Sequence, residues 1–312
     1  MRMTKGRLAS GPSTDRWPVH RSGSRLRASQ RRAGLAFALP VIVLELTLLA
    51  APLAQAFYYS FTRWDGLTSR WIGPANYQRL FGDPTFWRVV ENNLLLLASV
   101  PFAILIPLLV AYLLNEHVPG WRFFRSAYFL PTAISWVVIG MVSLRVFAAQ
   151  GVLNHVLDAI GLGFIHTDLL AGELSAMSAV AITFIWSVFG TNTIIFITGM
   201  ATLDREVYEA ARVDGAGAFT TFVKITIPML MRFIQFAFIL TLITAFTALF
   251  SLIFVMTGGG PGYGTTTLEF YVYQQGFQVG AFGYAATIGI VLFAVVFAVS
   301  LAQLRIFRSR LD

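Results

Sequence analysis

The chain contains no cysteine, and Asp, Glu, Lys and Arg together make up only 12% of its 312 residues, about half the share of an average soluble domain. Without cysteine there is no disulfide framework, no thiolate metal site and no Cys nucleophile, and the redox compartment is unreadable. The shortage of charge excludes a globule that faces water on all sides. Catalytic signatures are missing too: no GxxxxGK[ST] loop to cradle ATP phosphates, no HExxH and no GxSxG. The four histidines, His20, His117, His155 and His166, show no ligand spacing and read as solvated or interfacial. What is present is apolar: 56% hydrophobic residues and a mean hydropathy of +0.69. The surface must meet lipid.

A helix needs about 20 mostly apolar residues to cross a bilayer. Six stretches qualify: Gly34–Phe57, Val90–Leu114, Ser126–Phe147, Ala176–Leu203, Thr226–Met256 and Phe282–Ile306. Ala54-Gln55-Ala56 resembles a signal-peptidase site, but the basic region before it and the apolar run are both long for a signal peptide, so an uncleaved anchor is expected. The net charge of +8 sits in residues 1–33, where nine Lys or Arg face Asp15 alone; that placement argues against nucleic acid as partner. The Gly, Ser, Pro and Arg content of this tail predicts disorder. Three parts follow: the tail 1–33, a first span with its external loop over 34–89, and a core over 90–312.

Basic residues concentrate on the cytoplasmic side. With the tail inside, the inner segments hold the nine of the tail, Arg122 and Arg125, then Arg205, Arg212, Lys224 and Arg232, and finally Arg305, Arg308 and Arg310. The outer segments hold Arg63, Arg70, Arg79, Arg88 and Arg145. Both termini are therefore expected in the cytoplasm of a prokaryotic inner-membrane protein. The external segment 58–89 is rich in Trp, Tyr, Arg and Pro, as suits the headgroup region. In the segment 148–175, Val152, Val156 and Ile160 follow helical spacing and fit a helix lying on the membrane or a partner. Glu45, midway along the first span, reads as pairing with a neighbouring helix, with proton transfer as the other reading. Glu91 and Arg145, at span ends, reach water.

Charge returns in the inner segment Ala201–Leu230, ATLDREVYEAARVDGAGAFTTFVKITIPML. Asp204 suits a helix N-cap, although Val207 at the third position leaves the capping box incomplete. Arg205 and Glu209 are four apart, and Glu209 and Arg212 three apart, so each pair can meet on one helical face. Gly215 and Gly217 permit a sharp break, and Pro228 is tolerated in the first turn of the next helix. Spacing alone fits an interfacial hairpin between two spans.

Glu209-Ala210-Ala211, three residues, Gly215, nine residues, Ile225, one residue, then Ile227-Pro228 resembles the EAA loop of bacterial ABC importer permeases, with Ile in place of Leu before the proline. FFRSAYFLPTAISWVVIG (Phe123–Gly140), the GVLNHVL segment and TGGGPGYGTTTLEFYVYQQGF (Thr257–Phe277) are similar to the carbohydrate-importer permeases of the maltose and glycerol-phosphate type, the first of two dissimilar subunits. The resemblance covers residue 34 to the end. It implies an all-α, six-helix permease of the type I importer fold and a heterodimer with a second permease. It also implies two ATP-binding cassette subunits, an extracytoplasmic solute-binding protein, and no bond chemistry in this chain: no cofactor of its own, with ATP and Mg held by the ATPase partners. Glu209, Ala210, Ala211 and Gly215 would carry coupling to the ATPases, supported by Asp214, Lys224 and Pro228. A Cβ at Gly215 is expected to clash or to disfavour the turn.

For the solute path, Thr244, Thr247 and Ser251 fall at i, i+3 and i+7 with Thr241 one turn earlier; hydroxyls there contact a polyol, a neighbouring helix or their own backbone. Trp186 offers a stacking face, and Asn192 is expensive in lipid and should face protein or a cavity. The resemblance adds lining positions near Phe184, Ser187, Val188 and Thr191, and near Ala245, Phe246 and Leu249. Because most are apolar, either the partner permease supplies the polar contacts or this chain forms only a passage. The run Gly258-Gly259-Gly260-Pro261 reads as a flexible turn, to which the resemblance adds binding-protein docking or framing of the outer gate. Import of another organic solute, such as a glycerol phosphodiester or polyol, and a non-transporting scaffold are the alternatives.

Overall fold

The computed structural model describes Gly34 and residues 37–115, 128–165 and 168–308. The basic tail, the inner loop with Arg122 and Arg125, the start of the third stretch at Ser126, and His20, His117 and His166 lie outside these residues. The chain divides after Ala54 into two compact units. Through the first unit runs most of helix α1 (Phe37–Ser60), with a π turn at Leu46–Ala50. Its apolar side chains, Phe37 and Leu49 among them, are exposed. Glu45 lies on a shallow apolar groove of the same helix with Ile42, Leu46 and Leu49.

The second unit opens with a departure from the all-helical expectation. Thr62–Trp64 (β1) and Ser69–Trp71 (β2) pair antiparallel, Arg63 opposite Arg70. The turn is built by Asp65, whose carboxylate accepts the N–H groups of Thr68 (2.7 Å) and Leu67 (2.9 Å). Those backbone donors hold its carboxyl down at about 2. After α2 (Ala75–Phe81) comes α3 (Pro84–Asn115), which starts six residues before the apolar run. Asp83 caps it by accepting from Thr85 N–H at 2.9 Å, and Pro84 presets the first turn. Arg88 and Glu91 are thus helical, bridged at 3.1 Å, with Arg88 also reaching Glu173 at 2.7 Å.

A 3₁₀ turn at Leu130–Ala133 leads into α4 (Trp136–Phe147), followed by α5 (Val152–Ala159), on which Val152 and Val156 are exposed as the spacing predicted, with Ile160 just past its end. Helix α6 (Glu173–Met200) packs along α3. Next come α7 (Arg205–Val213), α8 (Ala218–Met229), α9 (Met231–Thr247), α10 (Phe250–Met256), α11 (Leu268–Tyr273) and α12 (Phe282–Arg308). The core joins Leu96, Val100 and Leu108 of α3 to Val180, Phe184 and Phe196 of α6 and to Leu249, Leu252 and Ile253.

The expected fifth span is not one helix. A bend of 73° separates α8 from α9, and the chain breaks again at Ala248-Leu249 before α10. At the second break the Glu269 carboxylate accepts the N–H groups of Leu249 (3.1 Å) and Phe250 (3.0 Å), donors that a helix start leaves unpaired. Ser251 is therefore on α10, off the hydroxyl row of α9. Among the described residues, five helices are long and apolar enough to cross a membrane, or six when the bent pair counts as one.

Candidate functional site

Two assemblies emerge: an elbow made by α7 and α8, and a cavity among α4, α6 and α9. In the elbow, Asp204 caps α7 by accepting from Glu206 N–H at 3.2 Å. The helix closes with a Schellman arrangement: Gly215 N–H donates to the Arg212 carbonyl (3.1 Å) and Ala216 N–H to the Ala211 carbonyl (2.9 Å). Gly215 has φ +75°, a left-handed conformation, yet a Cβ added to it meets nothing within 4 Å. Of the two reasons expected for glycine here, only the backbone conformation applies; the clash does not arise.

The elbow is braced within itself and tied to α3: the Tyr208 hydroxyl of α7 lies 3.2 Å from Thr226 Oγ1 of α8, and the Tyr112 hydroxyl on α3 donates to the Ala218 carbonyl at 3.4 Å. Ala211 is buried, while Glu209, Ala210, Asp214, Lys224 and Pro228 are exposed. The ion pair of Glu209 with Arg205 or Arg212 is not formed: Glu209 makes none among the described residues. Beside this charged ridge Val213 and Phe219 stand 88% and 79% exposed, an apolar edge on a polar turn.

The cavity, of about 330 Å³, is lined by Thr132, Trp136, Ser187, Thr191, Asn192, Thr241 and Thr244 together with apolar neighbours including Val188 and Leu240. Gly190 lets the 3₁₀ turn that carries Thr132 approach α6; a Cβ there would lie 2.5 Å from Thr132 Oγ1 and from the Tyr128 carbonyl. Ser187, Thr191, Asn192 and Thr244 of the expected path line this space. Phe184, Ala245, Phe246 and Leu249 are buried in the core, and Trp186 lines a separate apolar groove with Val142, Phe147 and Ile182. Sequence reasoning missed Thr132 and Trp136. The available signal was Pro131 followed by Ser135, a helix-start cap whose hydroxyl accepts from Val138 N–H.

Several cavity hydroxyls are satisfied by their own helices: Ser187 donates to the Thr183 carbonyl (2.7 Å) and Thr244 to the Leu240 carbonyl (2.8 Å). Asn192 donates to the Ala103 carbonyl (2.7 Å) and to Thr241 Oγ1 (3.0 Å). Thr132 Oγ1, by contrast, is buried with no hydrogen-bond partner among the described residues.

The glycine run is hydrogen-bonded to the threonines that follow it. The Gly259 carbonyl accepts from Thr265 N–H (3.2 Å) and Thr266 Oγ1 (2.9 Å), and the Gly260 carbonyl from Thr265 Oγ1 (2.8 Å). Beyond Pro261, Asn92 of α3 donates to the carbonyls of Tyr263 (2.6 Å) and Thr266 (2.9 Å), anchoring the loop to the bundle.

Residues 84–312 match the family described as "Binding-protein-dependent transport system inner membrane component". The multiple sugar-binding transport system permease protein MsmF of Streptococcus mutans is 32% identical over 276 residues, 88% of this chain and 94% of that one. The lactose transport system permease protein LacF of Rhizobium radiobacter is 31% identical over 284 residues, 89% and 94% of the two chains. Among solved structures, a chain of the bacterial alginate ABC transporter in complex with alginate pentasaccharide-bound periplasmic protein superposes with a TM-score of 0.75 at 25% identity, covering 90% of this chain and 96% of that one. The fold is thus shared with a solved importer chain, and the chain belongs to the binding-protein-dependent transport system inner membrane components.

Proposed function

We propose that this chain is the permease subunit of an ATP-driven importer of a carbohydrate, which an extracytoplasmic solute-binding protein delivers. The observation that carries the reading is the elbow: a short helix, α7, capped at both ends and hydrogen-bonded to α8, which α3 in turn holds at Ala218, with charge and exposed apolar side chains on the outside. A rigid lever of this kind transmits a push. The named sugar permeases among its relatives support the carbohydrate class.

In this reading the bent pair α8–α9, with α10, counts as one span, six spans cross the inner membrane, and both termini lie in the cytoplasm. Residues 90–312 act as the permease core. A second, dissimilar permease completes the pore, and two ATPase subunits supply ATP and Mg. Each ATPase cleft receives one elbow: Phe219 and Val213 fill it, Ala210 allows close approach, and Glu209 faces cations of the partner. Asp214, Gly215, Lys224 and Pro228 set the angle to the fifth span. When the ATPases close, the push at Thr226 and Ala218 reaches α9, which borders the cavity, and α3, which packs on α6 and α9 behind it, so the cavity opens outward and then inward. Ser187, Thr191, Asn192 and Thr244 line the passage, and the loop around Gly259, Gly260 and Pro261 frames its outer end for the binding protein.

The test is uptake in proteoliposomes holding both permeases, the ATPases and the binding protein. Saccharide-stimulated ATP hydrolysis with saccharide accumulation is expected. Stimulation by a glycerol phosphodiester or polyol alone would move the substrate class, and no stimulated uptake of any solute would leave a scaffold.

A further inference from the structure

The acids and arginines around the β1–β2 ribbon do not neutralise one another. Asp65 is consumed by its own turn, accepting from Leu67, Thr68 and the Thr68 hydroxyl. Asp83 is consumed as well: it accepts from Thr85 N–H and from the hydroxyls of Tyr271 (3.0 Å) and Tyr284 (3.2 Å). Burial works against the Asp83 charge, but those donors outweigh it and hold its carboxyl below the usual range. Arg63, Arg70 and Arg79 are left with no ion pair among the described residues. Moreover, Arg63 and Arg70 stand directly opposite on the ribbon, and like charges in that relation destabilise a strand pair.

Arg63 and Arg79 meet at one pocket of about 190 Å³, whose lining includes Trp64, Asn76 and Tyr284. Its walls are fixed. Asn76 is buried and donates to the carbonyls of Ser60 and Thr62, both at 2.9 Å. Trp64 stacks on Tyr59 at 4.0 Å. The Arg79 guanidinium lies 4.2 Å from the centroid of the Tyr284 ring, which orients the group by its face and leaves its N–H edges free. The volume is below the roughly 300 Å³ at which pockets for drug-sized ligands begin. It suits a small group, and two guanidinium side chains lining one small open pocket suit a tetrahedral oxyanion. We propose that this pocket is a phosphate-class binding site, with Arg63 and Arg79 as paired donors. The group is supplied by an anionic lipid headgroup or by a free phosphate. Trp64, Trp71, Tyr58 and Tyr59 around the pocket are the side chains found at headgroup level, so the lipid source is the expected one. A small concave pocket favours this over a carboxylate of a docked protein, which a flat basic patch would serve better.

The experiment uses the purified transporter complex in detergent. Phosphatidylglycerol or phosphatidylcholine is added and bound lipid read by native mass spectrometry; inorganic phosphate is added and binding read by thermal shift. Phosphatidylglycerol retained over phosphatidylcholine by the wild type, and at least tenfold more weakly by R63Q/R79Q, is expected. Both arginines are exposed, so this variant should keep the wild-type melting profile without ligand, and R145Q serves as a control that keeps binding. Saturable, arginine-dependent binding of inorganic phosphate without phosphatidylglycerol would assign the soluble source. Equal retention by wild type and R63Q/R79Q overturns the proposal. So does binding of neither probe, including the case in which the variant loses only affinity for the binding protein.

Discussion

Asn192 on α6 donates its amide to the backbone carbonyl of Ala103 on α3 at 2.7 Å. Ala103 lies four residues before Pro107, inside the same helix. Proline has no N–H, so this carbonyl has lost its intrahelical donor, and in lipid no water replaces it. The asparagine of one span thereby repairs the backbone of another, and with Thr241 it links α3, α6 and α9. An amide expected from sequence to face protein or a cavity does both: it holds three helices together and borders the cavity.

That relationship predicts non-additivity. N192L leaves the Ala103 carbonyl unpaired and should cost about 1–3 kcal/mol, read as a lower unfolding midpoint of the complex. In a P107A background, where residue 107 donates to Ala103 again, the same change should cost much less. Equal losses in both backgrounds would refute the pairing.

Glu269 yields a pH prediction. Burial raises its carboxyl, against the opposing effect of the Phe250 and Leu249 N–H donors. A folded-state value above the unfolded one means the folded chain binds the proton more tightly. Stability from this group is fully present below its ordinary value near 4.5 and is lost as pH rises through the raised value. The wild type should therefore gain stability on acidification from pH 7 toward 5. E269Q, which keeps an acceptor oxygen at the break, should lack that slope, and E269A should be less stable than E269Q throughout. Melting curves across this range decide it; identical slopes in wild type and E269Q would contradict it. The Asp83 contribution runs the other way: its carboxyl is lowered below 3.8, so its stability fades only at more acidic pH, outside this window.

At Gly215 the penalty is conformational, since φ is +75° and the space around the missing Cβ is open. G215A and G215L should therefore weaken ATPase–transport coupling alike, by about 1–2 kcal/mol of strain in the elbow, and G215N should recover most of it. A loss graded with side-chain size would instead indicate a clash, and is measurable as substrate-stimulated ATP hydrolysis.

Within the membrane, W136A and T132V touch the cavity and should change the KM for uptake while the complex stays assembled. Phe246 is 4% exposed in the core, so F246A should lower stability by about 3 kcal/mol or more without changing which solute is carried. A selective change in solute preference from F246A would place the path elsewhere.

The positions of most spans and of the elbow could be read from sequence because their causes are local: apolar runs, the Asp204 cap, and glycine at a helix C-terminus. The breaks in the fifth span could not. Leu230, Ala248 and Leu249 are ordinary helix formers, and the group that stabilises the second break, Glu269, comes about twenty residues later in the chain. Composition windows see neither. The early start of α3 was legible in Asp83-Pro84, and the ribbon in Asp65-Gly66, but the apolar run drew attention past both. The lining of the cavity depended on a tertiary approach, Gly190 against Thr132, which no spacing within either helix reveals.

The most direct measurement concerns the elbow and a motor subunit. Because the chain has no cysteine, single cysteines can be placed without a background: F219C and V213C on the elbow, and L67C at the ribbon, where Leu67 is 95% exposed, as control. With a short bifunctional reagent in the assembled complex, F219C and V213C should join to the ATPase subunit with a yield that changes on adding ATP, and the bond should abolish substrate-stimulated hydrolysis; L67C should not join to it. An elbow whose cysteines react with a soluble maleimide in the complex yet never link to the ATPase would contradict the account.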